Sequence, residues 1–93
     1  MDTPKPLRIP PHTVKNFQER EITRDEVERT LAQPESVVPG YDARQVYMRR
    51  YHDKILEQEM LLRVVVEETE TERVVVTVYK TSHIERYLKG LRK

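Results

Sequence analysis

Cysteine and tryptophan are missing from this chain, glycine occurs only as Gly40 and Gly90, and Phe17 is the lone phenylalanine. Without cysteine there are no disulfides and no thiolate metal sites, a composition that suits a reducing cytoplasm. Two isolated glycines cannot build a glycine-rich phosphate loop. No apolar run reaches about 18 residues, so no membrane span is expected. The stretch Met1 to Pro11 has prolines and charges but no apolar segment, and it does not read as a secretory signal. Net charge is nearly absent too, at +1, so total charge does not announce a nucleic-acid binder.

What the chain does have is charge of both signs, 35% of 93 residues, beside 37% apolar residues. That length supports one domain with a single modest core. The charges are unevenly placed. Glu57 to Glu72 holds six carboxylates against Arg63, and Lys80 to Lys93 holds five bases against Glu85. Solvated faces and a polar hairpin tip account for this, and so would a dipolar surface that steers an anionic partner to one end.

Four of the six prolines (Pro4, Pro6, Pro10, Pro11) fall in the first eleven residues. Residues 1–10 therefore read as an arm with a short edge strand at Leu7–Ile9, and residues 11–93 as the domain. A first helix is predicted from Pro11 to Arg20, with Val14 and Phe17 facing inward. The second helix is better marked. Thr23 and Glu26 form a capping box, Ile22 and Val27 the matching hydrophobic staple, Val27 and Leu31 the buried stripe, and Pro34 ends the helix at Gln33. Pro39 and Gly40 read as loop.

Strand alternation starts near Arg44, with Val46 and Met48 on one side and Tyr47, Arg49 and Tyr51 on the other. After a polar loop around His52–Glu59, Met60, Leu62, Val64 and Val66 make one apolar face. Val74, Val76 and Val78 make its counterpart across the loop Glu68–Glu72. The register that packs best sets Val66 opposite Val74 and Glu67 opposite Arg73. A C-terminal amphipathic helix is predicted over Ser82–Leu91, from Ile84, Tyr87, Leu88 and Leu91, with Ser82 or Thr81 as cap. The fold class is α+β: two N-terminal helices packed on an antiparallel sheet of three to four strands, then a C-terminal helix.

With helices on the even-numbered face, the other face would carry Tyr47, Arg49, Tyr51, Leu61, Arg63, Val75, Thr77 and Tyr79. Arginine matches phosphate oxygens bidentately, and tyrosine stacks on bases. Tyr and Arg are also ordinary residues of a half-wet strand face. His12, His52 and His83 lack the i, i+4 spacing of a helical zinc pair, so no metal or cofactor is expected. Glu19 and Glu21 flank Arg20, and local ion pairing is their simplest role.

The opening His12…Glu19-Arg20-x-Ile22, Pro34 after the second helix, and the strand end Thr77-Val-Tyr79-Lys-Thr81 resemble a family of small prokaryotic proteins, the domain of unknown function 4258. The resemblance covers roughly His12 to Leu88. That family is similar to the BrnT and RelE-like toxins of bacterial toxin–antitoxin pairs. The resemblance implies helices on one sheet face and metal-independent cleavage of RNA, messenger RNA on the ribosome in RelE-type members. It also implies a small cognate antitoxin-like partner protein and a cytoplasmic setting; a homodimer stays open. On this reading the catalytic candidates are His12, Arg20, Arg49, Arg63 and Tyr79, and the RNA-binding ones Tyr47, Tyr51 and Lys80. A base would take the ribose 2′-OH proton while arginines stabilise the charge gathering on phosphorus. The alternative is a non-catalytic module of the same fold that binds a small protein through the hairpin edge or the C-terminal helix.

Overall fold

A computed structural model of the chain describes residues 5–88. The elements run β1 (Leu7–Arg8), α1 (Pro11–Glu19), α2 (Arg24–Ala32), β2 (Ser36–Pro39), β3 (Arg44–Asp53), β4 (Gln58–Glu68), β5 (Arg73–Thr81) and α3 (Ile84–Leu88). The sheet has five strands in the order β1-β5-β4-β3-β2, with β1 parallel to β5 and all other pairs antiparallel. It is therefore mixed, and larger than the three to four antiparallel strands predicted. Among the described residues no helix is long and apolar enough to cross a membrane.

The added strand is β2. Its hairpin to β3 has no Asn-Gly signature; Asp42 (φ 55°) and Ala43 (φ 62°) take the left-handed positions, whereas Gly40 keeps a negative φ. The Gly40 N–H donates to Arg44 O and the Arg44 N–H to Tyr41 O, which closes the turn.

α1 begins at Pro10–Pro11 with no side-chain cap. It ends in a Schellman motif, in which the Ile22 N–H reaches Phe17 O and the Glu21 N–H reaches Gln18 O, with Glu21 left-handed at φ 56°. The hydrophobic pair of that motif, Phe17 and Ile22, joins the main core. Ile22 then serves α2 as well, as one half of its staple with the fully buried Val27. The α2 capping box is complete: the Glu26 N–H donates to Thr23 Oγ1 at 3.1 Å, and the Thr23 N–H to Glu26 Oε1 at 3.2 Å.

Val14, expected inside, is 37% exposed. Thr13 takes the inward place because α1 lies along the outer edge of β5 rather than flat on an apolar face. The Thr13 hydroxyl donates to Val75 O at 2.9 Å, and Asn16 Oδ1 accepts from the Val78 N–H at 2.9 Å and the Thr77 hydroxyl at 3.0 Å. With the Arg73 N–H donating to Pro6 O, these bonds satisfy backbone groups that a bare edge would leave open.

Two parity changes overturn the predicted sheet faces. Residues paired across β3 and β4 sum to an odd number, as in Tyr47↔Val64 and Arg49↔Leu62, so odd β3 residues share a face with even β4 residues. A four-residue turn, Lys54–Glu57, imposes this. Between β4 and β5 an irregularity at Val65/Val66 adds a residue, giving Val66↔Val75, Glu67↔Val74 and Glu68↔Arg73 instead of the predicted register. Val75 becomes fully buried, while Val74 and Val76 are half-buried.

The main core accordingly holds Phe17, Ile22, Val27, Leu62, Val64, Val66, Val75 and Val78 beneath α1 and α2, with Tyr47 and Tyr51 packed against it. A second cluster on the opposite face joins Val46, Met48, Leu61 and Leu88, with Ile84 and Tyr87 of α3 above it. Leu61, expected on an open face, is fully buried there. Helices thus cover both faces. Leu91 of the predicted C-terminal stripe lies outside the described residues.

Candidate functional site

The strand β3 runs past the end of its neighbour β2, whose last partner on that side is Met48 through Ser36. The extension Arg49–Asp53 carries a dense basic stretch, Arg49, Arg50, His52 and then Lys54 in the turn. Between it and α2 opens a groove of about 580 Å3, lined by Thr23, Asp25, Glu26, Arg29, Thr30, Arg49, Arg50, Tyr51, His52 and Lys54. Its two carboxylates are partly engaged: Asp25 pairs with Arg29 at 3.2 Å, and Glu26 completes the α2 cap. The Arg50 guanidinium pairs with Glu35 at 2.9 Å, and that hydrogen bond and charge raise its already high pKa. Arg49 donates to Gln33 O at 2.8 Å, on the last turn of α2. Among the described residues neither Arg49 nor Lys54 has a carboxylate partner.

Behind the groove lies a buried polar cluster. Asp53 is 3% exposed. Its Oδ2 accepts from Lys80 Nζ at 2.7 Å and from the Tyr51 hydroxyl at 2.9 Å, while its Oδ1 accepts from the Ile55 and Leu56 N–H groups, both at 2.9 Å. Burial works against the Asp53 charge, but the Lys80 and Leu56 hydrogen bonds, the Tyr51 hydroxyl and the Lys80 charge together hold its pKa down to about 2. Burial, with the Asp53 carboxylate beside it, pushes the Tyr51 hydroxyl upward. Lys80 also donates to Glu21 O at 3.3 Å, tying the α1 terminus to β5. The Asp53 contacts with Ile55 and Leu56 fix the turn, which holds those two side chains outward, 62% and 46% exposed.

Arg63 and Tyr79 pair across β4 and β5 on the opposite face. The guanidinium carbon lies 4.9 Å from the Tyr79 ring centre and 4.1 Å from that of Tyr87 on α3, and Arg63 Nη1 donates to the Tyr79 hydroxyl. The sandwich is a cation–π stack that fastens α3. Arg63 Nε has no hydrogen-bond partner.

The eight residues singled out in the sequence therefore do not form one site. Arg49, Tyr51 and Lys80 gather at one end of the α1/α2 side of the sheet. Arg63 and Tyr79 sit on the other face beneath α3. Tyr47 packs against the main core and receives the Arg73 guanidinium at 5.4 Å from its ring centre. His12 and Arg20 are exposed at opposite ends of α1, and among the described residues Arg20 forms no ion pair with Glu19 or Glu21. Sequence reasoning missed Arg29, Arg50, His52, Asp53 and Lys54. The basic run Arg49-Arg50-x-His52-x-Lys54 was the available signal, masked by treating His52 onward as loop. No cluster of three His, Asp or Glu side chains placed to hold a metal occurs among the described residues.

A family model described as a domain of unknown function (DUF4258) matches residues 9–80. No curated protein and no solved structure matches the chain.

Proposed function

The chain belongs to the family of the domain of unknown function DUF4258, and from that premise and the chemistry of the α2–β3 groove we propose that it binds single-stranded RNA as a toxin-like RNA endonuclease. The observation that carries this reading is that Arg29, Arg49 and Lys54, with Arg50 and His52 from the α3 side of the same strand, line one groove of a protein whose overall charge is only +1. Arginine and lysine neutralise phosphates, and an exposed imidazole beside them can take a ribose 2′-OH proton. The likeness to BrnT and RelE-like toxins noted in the sequence adds a small antitoxin-like partner and a cytoplasmic setting to the proposal. Of the catalytic candidates only Arg49 lines the groove, and of the RNA-binding candidates Tyr51 lines it and Lys80 lies behind it; Arg63, Tyr79 and Tyr47 lie elsewhere.

The test is direct. The purified chain should bind a labelled single-stranded RNA with an affinity that falls steeply with salt, and Arg49→Ala with Lys54→Ala should weaken that binding by roughly tenfold. Induced expression should slow growth, and the same double variant should relieve the arrest. Normal growth at full expression, with RNA left intact by the purified protein, rules out the endonuclease. A second reading, a non-catalytic module for a small protein, is favoured by the separation of His12 on α1 from the Arg63–Tyr79 pair on the opposite sheet face. A co-purifying small protein without RNA degradation would select it.

A further inference from the structure

The outermost strands β1 and β2 are short, so β5 and β3 both run on beyond them, and the two overhangs are treated very differently. Along β5 the outward backbone groups of Arg73, Val75 and Val78 are taken by Pro6, Thr13 and Asn16. Along β3 the cover stops early. β2 pairs only as far as Met48, whose carbonyl accepts the Glu35 N–H. The Gly40 N–H to Arg44 O bond shows that even-numbered β3 residues direct their backbone toward β2. Strand alternation therefore gives Arg50 and His52 the same outward direction, at positions where no described strand lies beside them.

We propose that this uncovered stretch of β3, Arg49 to Asp53, is a docking edge for an extended acidic segment of a partner protein, which adds to the sheet as a further strand. Backbone pairing supplies the affinity in such additions, and alternate side chains supply the selectivity. Side chains of the incoming strand would fall alternately beside Arg49 and Tyr51, on the α2 side, and beside Arg50 and His52, on the α3 side, with Lys54 at the end. Arg49 and Lys54, at the two ends of the stretch, have no carboxylate partner among the described residues, so carboxylates are the complementary choice. Just beyond, the Asp53-braced turn presents Ile55 and Leu56 to solvent, an apolar contact for the end of the segment. RNA offers no ladder of N–H and C=O groups to match the edge. A second copy of this chain, paired antiparallel about Arg50, would set two arginines directly opposite, and like charges there are unfavourable. This inference stands apart from the RNA reading, which needs the groove's cations but not its backbone edge.

The probe is a synthetic decapeptide of alternating glutamate and valine, followed by amide hydrogen exchange of the full chain and by anisotropy of the labelled peptide. In the free protein the Arg50 and His52 amides should exchange fast; the peptide should slow both. A lysine–valine decapeptide and a glutamate-only decapeptide should do neither. Arg49→Glu with Lys54→Glu should weaken binding of the glutamate–valine peptide by roughly tenfold, and Ile55→Ser, at a site 62% exposed, should weaken it to a lesser degree. The proposal fails if these amides are already protected in dilute free protein, or if protection appears only with rising protein concentration, which would mean self-pairing. It fails equally if the lysine peptide protects as well, or if single-stranded RNA and not the peptide slows the two amides.

Discussion

Asp53 braces the end of β3 because both its oxygens are committed: one to Lys80 and Tyr51, the other to two backbone amides of the turn. Its pKa is held below the unfolded value, so its contribution is fully present above about pH 4 and is lost as pH falls through about 2. Asp53→Asn should therefore lower stability at neutral pH by about 2 kcal/mol. The gap between variant and parent should close on acidification between about pH 4 and pH 2, as read by urea unfolding across that range. A gap that stays constant with pH would remove the charge from the account. Nothing in the sequence marked Asp53 in advance. It read as the start of a polar loop, and only the proximity of Lys80, 27 residues away, gives it a role. Thr23 and Glu26, by contrast, were readable because a capping box is local: its two partners lie three positions apart.

Local rules also explain which elements were legible. α2 carries its start and stop signals within its own span, and the alternation of β3 and β4 is visible in the residues themselves. α1 differs, because its inward face is polar where it meets a strand edge. Thr13 and Asn16 are there to bond backbone, and apolar periodicity pointed to Val14 instead. Asn16→Leu should destabilise the protein by about 1–3 kcal/mol, since it leaves the buried-side Val78 N–H without an acceptor. Denaturant midpoints of the variant and of Asn16→Asp, which keeps an acceptor, should separate the lost bond from mere packing. β2 was missed because its turn relies on Asp42 and Ala43 at positive φ, positions that usually announce themselves with Asn or Gly. The faces of the sheet were misassigned for a related reason. A parity count carried across the Lys54–Glu57 turn and through the Val65/Val66 irregularity fails twice, although the apolar pattern within each strand is sound.

For the molecule as a whole, β4 is the centre: it pairs along nearly its full length with both β3 and β5 and is buried by helices on each face. Amide exchange should be slowest at Leu62, Val64 and Val66 and fast in α3, whose five residues are held mainly by Leu88 and the Tyr87–Arg63 stack. Protection of α3 equal to that of β4 would contradict this ranking. The candidate site is less legible than the fold because it is made of ends: the end of β3, the first turn of α2 and the last residues of β5 meet only once the sheet is assembled.

The contrast between the two overhanging strands also bears on self-association. A sheet grows into a fibre only if each added strand leaves another accepting border, and the opposite side of the same molecule must serve as donor to the next. Here the β5 side is sealed over Val75 to Val78 by α1. A strand edge of another copy therefore finds no accepting backbone along that stretch of β5, which guards a valine-rich sheet against edge-to-edge self-association there.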